Sequence, residues 1–183
     1  MTESPPRPPR TAWQRFSRWV PYLLAALAIY LLWAPRASGP EAGTEAAAFD
    51  LPVILNGEGR LRLEQVRGEP VLVEVFASWC ATCQRSAPIV HRVAAAQREH
   101  PARFVAISVD DDPEAGRQAA REWGISFPVA HDTGSFARAY RIAVLPTFIL
   151  IDADGKVREV AAGGVSERRL ESWLSSLGSE RVQ

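Results

Sequence analysis

Cys80 and Cys83 are the only two cysteines of this 183-residue chain, and they stand together as Trp79-Cys80-Ala81-Thr82-Cys83. Three chemistries are open to such a pair. As a structural staple it would close a four-residue ring, worth about 2 kcal/mol in the loop-entropy model against about 3 for fifteen residues. A protein using its one disulfide for stability would gain more from distant partners. As a metal site, two thiolates half-fill a tetrahedron, and His91, His100 and His131 show no ligand spacing around them. The third chemistry is dithiol redox. It needs one sulfur that ionises near neutral pH and a second sulfur held in reserve, because the thiolate is the attacking form. Spacing and position favour redox; staple and metal stay open as alternatives.

The elements that must position the pair follow from periodicity. Val71 to Ala77 is a nearly continuous β-branched and apolar run, as expected of a strand buried on both faces. After the cysteines, Ile89, Val93 and Ala96 fall at i, i+4 and i+7 with Val90 and Ala94 beside them, which predicts a helix. Cys80 then lies at the helix N-terminus, where unpaired amides and the positive dipole end favour thiolate. Cys83, one turn on, is expected deeper, as a resolving thiol. Further along, Arg103 to Val109 reads as a strand, and Pro113 opens a helix that Gly124 ends. Phe49 to Leu55 and Arg60 to Leu63 flank Asn56-Gly57 as a hairpin. Phe148 to Ile151 and Val157 to Val160 flank Asp152-Ala153-Asp154-Gly155 as a second one. Leu170, Trp173, Leu174 and Leu177 make a last amphipathic helix closed by Gly178. The alternation predicts a three-layer α/β domain with a mixed central sheet.

One residue breaks the buried strand. Glu74 lies six positions before Cys80, and a carboxylate in a doubly buried strand is costly unless neutral or paired. The alternatives are a strand-end glutamate reaching solvent and a salt bridge. The run Asp110-Asp111-Asp112-Pro113-Glu114 reads as an N-cap and first helical turn rather than a cation site. The three histidines read as solvated surface residues.

The net charge of zero hides an asymmetry: residues 1–36 carry five arginines against Glu3, so the rest of the chain is net negative. A mildly acidic globular part lacks the electrostatic footprint of a nucleic-acid binder. With 47% apolar and 23% charged residues, wholesale disorder, a collagen-like repeat and a disulfide-dense mini-protein are excluded. From Trp19 to Pro35 there is no charge, and the 17 residues would reach about 26 Å as a helix, nearly a hydrocarbon core. Trp19 and Trp33 mark its ends as an interfacial belt would, and flanking arginines can snorkel. The expected organisation is a cytoplasmic tip over 1–18, a transmembrane signal-anchor over 19–35, a tether over 36–48, the globular domain over 49–178 and a tail over 179–183. Cleavage after Ala37-Ser38-Gly39 and a buried soluble helix are the competing readings of the apolar segment. The first two readings place the domain outside the cytoplasm, where thiols oxidise.

The segment V-L-V-E-V-F-A-S-W-C-A-T-C over Val71–Cys83, followed by Ala87-Pro88 and by Val144-Leu145-Pro146-Thr147-Phe148, resembles the membrane-anchored bacterial thioredoxin-like proteins of the TlpA/ResA/DsbE type. The resemblance covers roughly residues 46–178. It implies a thioredoxin fold with an N-terminal β-hairpin extension and thiol-disulfide exchange without a cofactor, the Cys80–Cys83 pair itself carrying two electrons. Carried over residue by residue, Cys80 is the nucleophile, Cys83 the resolving thiol, and Pro146 the cis-proline that leaves Leu145 to pair with a substrate strand. Glu74 matches the buried acid of thioredoxins, a proton acceptor for Cys83. Trp79 matches the tryptophan that covers the disulfide, and Pro88 the kink of the following helix. Ala81 and Thr82 form the dipeptide between the sulfurs and lack the proline of many reductases. Ser86 replaces an acid, and Ala143-Val144-Leu145 lacks the glycine and glutamate of the cytochrome-maturation pattern. These departures resemble more closely oxidoreductases of copper tolerance or general envelope thiol handling. The implied partners are exported cysteine-containing proteins, a membrane or periplasmic thiol redox partner and the inner membrane. The alternative is a Sco-like copper-binding module, which typically has three residues between its cysteines and a downstream histidine.

Overall fold

In the computed structural model, residues 19–33, 38–96 and 102–179 are described; the expected tip, most of the tail and His100 lie outside them. An N-terminal helix, α1 (Val20–Trp33), has 14 residues, about 21 Å at 1.5 Å per residue. Residues 34 and 35 of the expected 19–35 lie outside the described residues, and among the described residues no helix is long and apolar enough to cross a membrane.

The remainder contains β1 (Asp50–Leu55), β2 (Arg60–Arg62), α2 (Leu63–Val66), β3 (Val71–Phe76), α3 (Ala81–Ala96) and β4 (Arg103–Ser108). It continues with α4 (Pro113–Glu122), β5 (Val129–His131), α5 (Ser135–Ala139), β6 (Thr147–Ile151), β7 (Val157–Ala162) and α6 (Glu167–Ser179). The seven strands form one sheet in the order β2-β1-β5-β4-β3-β6-β7. β3, β4 and β5 run parallel, and every other pairing is antiparallel. The sheet is therefore mixed, as expected.

Strand parity divides the core into two layers. Leu72 and Phe76 of β3 pack on one face with Cys83, Val90 and Val93 of α3, Ala119 and Ala120 of α4, and Leu170, Trp173 and Leu174 of α6. Val71, Val73 and Val75 pack on the other with Leu63 and Val66 of α2, Phe136 of α5 and Tyr140, which follows α5. Every residue of β3 is buried, which is the physical reason its sequence does not alternate.

Several local expectations change. In the first hairpin the positive φ angles fall on Asn56 (54°) and Gly59 (72°), not on Gly57, so the connection is longer than a two-residue turn. The buried stripe of α3 is Cys83, Ser86, Ala87, Val90 and Val93; Ile89 is half-buried and Ala96 exposed, because the contact face is rotated from the one expected. α6 continues through Gly178 to Ser179, so this glycine does not end it. β5 and α5 are too short to carry a periodic signal. α5 is started by Asp132, whose carboxylate accepts from the Phe136 and Ala137 amides at 2.9 and 2.8 Å.

Within the stretch expected to be a tether, residues 38–46 are bonded to the domain. Val157 N–H donates to Thr44 C=O at 2.9 Å, Gly43 N–H to Val157 C=O at 2.7 Å and Ala46 N–H to Gly155 C=O at 2.8 Å. These bonds run beside edge strand β7, which offers free ladder groups.

Candidate active site

β3 ends at Phe76 and the chain turns through Ala77-Ser78-Trp79-Cys80 into α3. The turn is closed by Cys80 N–H donating to Ala77 C=O at 3.0 Å, while Cys80 C=O accepts from Gln84 N–H at 3.1 Å as the first helical bond. Cys80 therefore caps α3. Its sulfur accepts the amide of Cys83 at 3.1 Å, so an orphan donor of the helix N-terminus is aimed at the atom that would carry negative charge.

Cys80 and Cys83 are joined as a disulfide, S–S 2.15 Å, with Cα atoms 5.2 Å apart. The two sulfurs differ in access: Cys80 is 8% exposed and Cys83 is 0%. Trp79 stands out at 73%, beside exposed Ala81 and half-buried Thr82. Arg85 donates to the Thr82 hydroxyl at 2.9 Å, one turn into the helix.

The Leu145–Pro146 peptide bond is cis. Sheet register brings it to the cysteines: Val75 pairs with Thr147, so the start of β6 lies beside the end of β3. Gly163 N–H donates to Pro146 C=O at 2.7 Å. A Cβ on the next residue, Gly164, would be 3.7 Å from the Thr82 methyl, which links the proline turn to the dipeptide between the sulfurs. Leu145 is half-buried and Val144 exposed, so an apolar surface of Trp79 and Val144 borders the disulfide end of the domain.

Glu74 lies mid-strand, paired with Ala106 of β4 and Phe148 of β6. That excludes the strand-end reading. By parity with Leu72 and Phe76 it points to the face that holds Cys83. It is 1% exposed and neither carboxylate oxygen has a partner among the described residues, which also excludes the salt bridge. Burial pushes its pKa up to about 8.

The acidic run after β4 divides its work. Asp112 caps α4 as expected, accepting from Glu114 N–H at 2.9 Å. Asp110 does something that the sequence reading missed. Buried, it accepts from Ser78 N–H at 3.0 Å, Ser78 Oγ at 2.7 Å and Ser108 Oγ at 2.8 Å. It thus pins the turn two residues before Cys80. His131 is buried rather than a surface residue, its Nε2 2.8 Å from the Asp110 carbonyl oxygen. The usable signal was position: Asp110 follows the C-terminal end of a parallel strand, where α/β sites collect.

The sequence profile of the Redoxin family matches residues 41–174. A thiol-disulfide oxidoreductase ResA of Bacillus anthracis is 30% identical over 137 residues, covering 74% of this chain and 78% of the relative. The ResA of Geobacillus kaustophilus is 27% identical over 158 residues, 85% of this chain and 90% of that one. Among solved structures, a putative thiol:disulfide interchange protein DsbE from Chlorobium tepidum superposes with a TM-score of 0.69 at 27% identity, over 75% of this chain and 97% of its own. A thiol-disulfide isomerase from Corynebacterium glutamicum gives 0.62 at 32% identity, over 72% and 96%.

Proposed function

This chain belongs to the Redoxin family, and we propose that it exchanges electrons with cysteines of exported proteins on the outer side of a bacterial inner membrane. Its reaction class is thiol-disulfide oxidoreductase and its type is TlpA/ResA/DsbE, with the thioredoxin fold. The observation that carries the reading is the graded access of one sulfur pair: Cys80 at the mouth, Cys83 beneath it.

In the reducing direction the Cys80 thiolate attacks a substrate disulfide; one S–S bond forms, one breaks, and a substrate thiolate leaves. Cys83 gives its proton to Glu74 and attacks the Cys80 sulfur. The Cys80–Cys83 bond closes and the second substrate thiolate departs, so two electrons pass to the substrate. In the other direction an incoming thiolate attacks Cys80 and Cys83 leaves, taking a proton from Glu74. Leu145 and Pro146 present backbone to the partner strand, and Trp79, Ala81 and Thr82 form its docking rim.

Location is read from the N-terminal segment. The apolar run 19–35 follows four arginines and precedes acidic residues, a bias that keeps the N-terminus in the cytoplasm. Tyr22, Leu23, Leu24, Leu27 and Ile29 of α1 are exposed, as a lipid-facing helix requires. The copper-module alternative is not favoured: the relatives are oxidoreductases, and no third His, Cys, Asp or Glu joins the pair in a metal-holding group among the described residues.

The Cys83→Ser variant tests both halves. Expressed in cells, it should accumulate mixed disulfides through Cys80 and sediment with membranes, and the molecules whose Cys80 is still a free thiol should react with a membrane-impermeant thiol reagent in intact spheroplasts. Absence of mixed disulfides would sink the exchange mechanism, and reaction only after lysis would sink the location.

A further inference from the structure

The loop that leads into the cis peptide is held at Arg141 and Ile142 by the carbonyls of Arg138 and Ala137, and beyond them by residues far away in sequence. Ala143 N–H and Val144 N–H both donate to the Ser38 hydroxyl oxygen, at 3.0 and 3.1 Å. The adjacent Gly39 N–H donates to Arg141 C=O at 3.0 Å. Three hydrogen bonds from two residues thus grip residues 141–144, immediately before Leu145–Pro146. From the other side, Thr147 Oγ1 donates to Val144 C=O at 2.6 Å, so both backbone groups of Val144 are engaged.

This contact is built rather than casual. Gly39 is buried with φ +98°, and a Cβ there would stand 2.5 Å from Val160 Cγ1, so the segment passes β7 at a distance no side chain allows. Further bonds at Gly43, Thr44 and Ala46 continue the strap along β7. The gripped loop is itself strained, since Arg141 holds φ +52° without being glycine. Two adjacent amides converging on one oxygen need an acceptor, and without Ser38 they would turn toward water or toward the loop's own carbonyls.

We propose that Ser38 is a positioning residue for substrate docking, fixing the Arg141–Val144 loop so that Leu145 meets a partner strand in one register. The inference rests on the reading that Leu145–Pro146 docks the partner chain. The Ser38 hydroxyl bonds to the loop amides while the hydrogen bond at the sulfurs runs between Cys83 and Cys80 themselves, so its effect falls on docking and not on sulfur chemistry.

The test compares two substrates on the full chain: a disulfide-containing peptide, which must use the loop, and 5,5′-dithiobis(2-nitrobenzoate), which need not. Ser38→Ala should raise KM for the peptide roughly tenfold, equivalent to about 1.4 kcal/mol, with kcat and the rate with the small disulfide unchanged. Ser38→Thr, which keeps the hydroxyl, should restore the wild-type KM. An unchanged peptide KM in Ser38→Ala would overturn the proposal, as would a proportional loss with both substrates, the signature of general destabilisation. Pro146→Thr separates the two levels. If it also leaves the peptide KM unchanged, docking at Leu145–Pro146 fails; if it raises KM while Ser38→Ala does not, only the strap fails.

Discussion

Replacing Glu74 by glutamine should abolish a specific pH dependence of stability. In the folded protein the carboxyl titrates at about 8 against an ordinary value of 4.5 for the unfolded chain, because burial disfavours the anion. Between those values the folded state holds a proton that the unfolded state has released. Stability contributed by this group is therefore complete below pH 4.5 and falls by about 1.4 kcal/mol per unit as pH rises, levelling off above 8. The loss is about 3 kcal/mol at pH 7 and roughly 5 kcal/mol on the alkaline plateau. Glutamine leaves an equally unpartnered polar group in the same place but does not ionise. The variant and the wild type should match near pH 4.5, and the variant should lead by about 3 kcal/mol at pH 7. Urea unfolding of the oxidised forms from pH 4.5 to 9 reads the difference directly, since cysteines in the disulfide do not titrate and the other carboxylates contribute equally to both chains. The same variant should release its mixed disulfide at least about 100-fold more slowly, the usual loss on removing a general base. Parallel stability curves over pH 5 to 8 would refute the buried, partnerless carboxyl, and unchanged release kinetics would refute its proton-transfer role.

Asp110→Ala removes the acceptor of the Ser78 amide, the Ser78 hydroxyl and the Ser108 hydroxyl. Hydrogen bonds to a charged group contribute about 1.5 to 3 kcal/mol each, so unfolding in urea should show a loss of about 3 kcal/mol or more, and a loss under about 1 would mean the clamp is idle. Trp79→Ala, at a side chain 73% exposed, should leave unfolding within about 0.5 kcal/mol while raising KM for a peptide disulfide. An equal slowing with a small aromatic disulfide would argue against its docking role.

The features legible in the sequence were those whose cause is local. Val71–Phe76 announces burial on both faces by its lack of alternation, and the cysteine spacing announces one sulfur at a helix end with the next a turn below. Glu74 was conspicuous because a charge in such a run demands a reason, although only the register with Ala106 and Phe148 excluded the solvent and salt-bridge readings. What stayed hidden depends on partners far away in sequence. Ser38 reaches across 105 residues to Ala143 and Asp110 across 32 to Ser78, and only the place of Asp110 after a parallel strand hinted at either contact. Composition was silent on contacts: Ala, Gly, Pro and Glu over 36–48 read as a tether, and nothing in that run shows that a Cβ at Gly39 would meet Val160. β5 escaped because three residues, Val129–His131, carry no period, yet they join the N-terminal hairpin to the parallel core.

The raised pKa of Glu74 also bears on the proton that the proposed exchange must move at neutral pH. With a pKa of about 8, roughly nine carboxyls in ten hold their proton at pH 7. When a donor thiolate attacks Cys80 in the oxidised protein, Cys83 is the leaving group, and on the proposed role a neutral Glu74, on the same face of the sheet, protonates the departing sulfur. When Cys83 must instead lose its proton to resolve a mixed disulfide, the proposed role needs the ionised carboxylate, the form that burial disfavours. On the proposed role Glu74 speeds this proton transfer and its reverse alike, and what rises as the pH approaches 8 is the fraction of molecules holding the base that resolution needs. A buried acid would be poorly suited to this work at the ordinary carboxylate pKa, where no proton would be available to the leaving sulfur. The desolvation that destabilises the fold at Glu74 is the same interaction that holds the proton the proposed transfer to Cys83 would use.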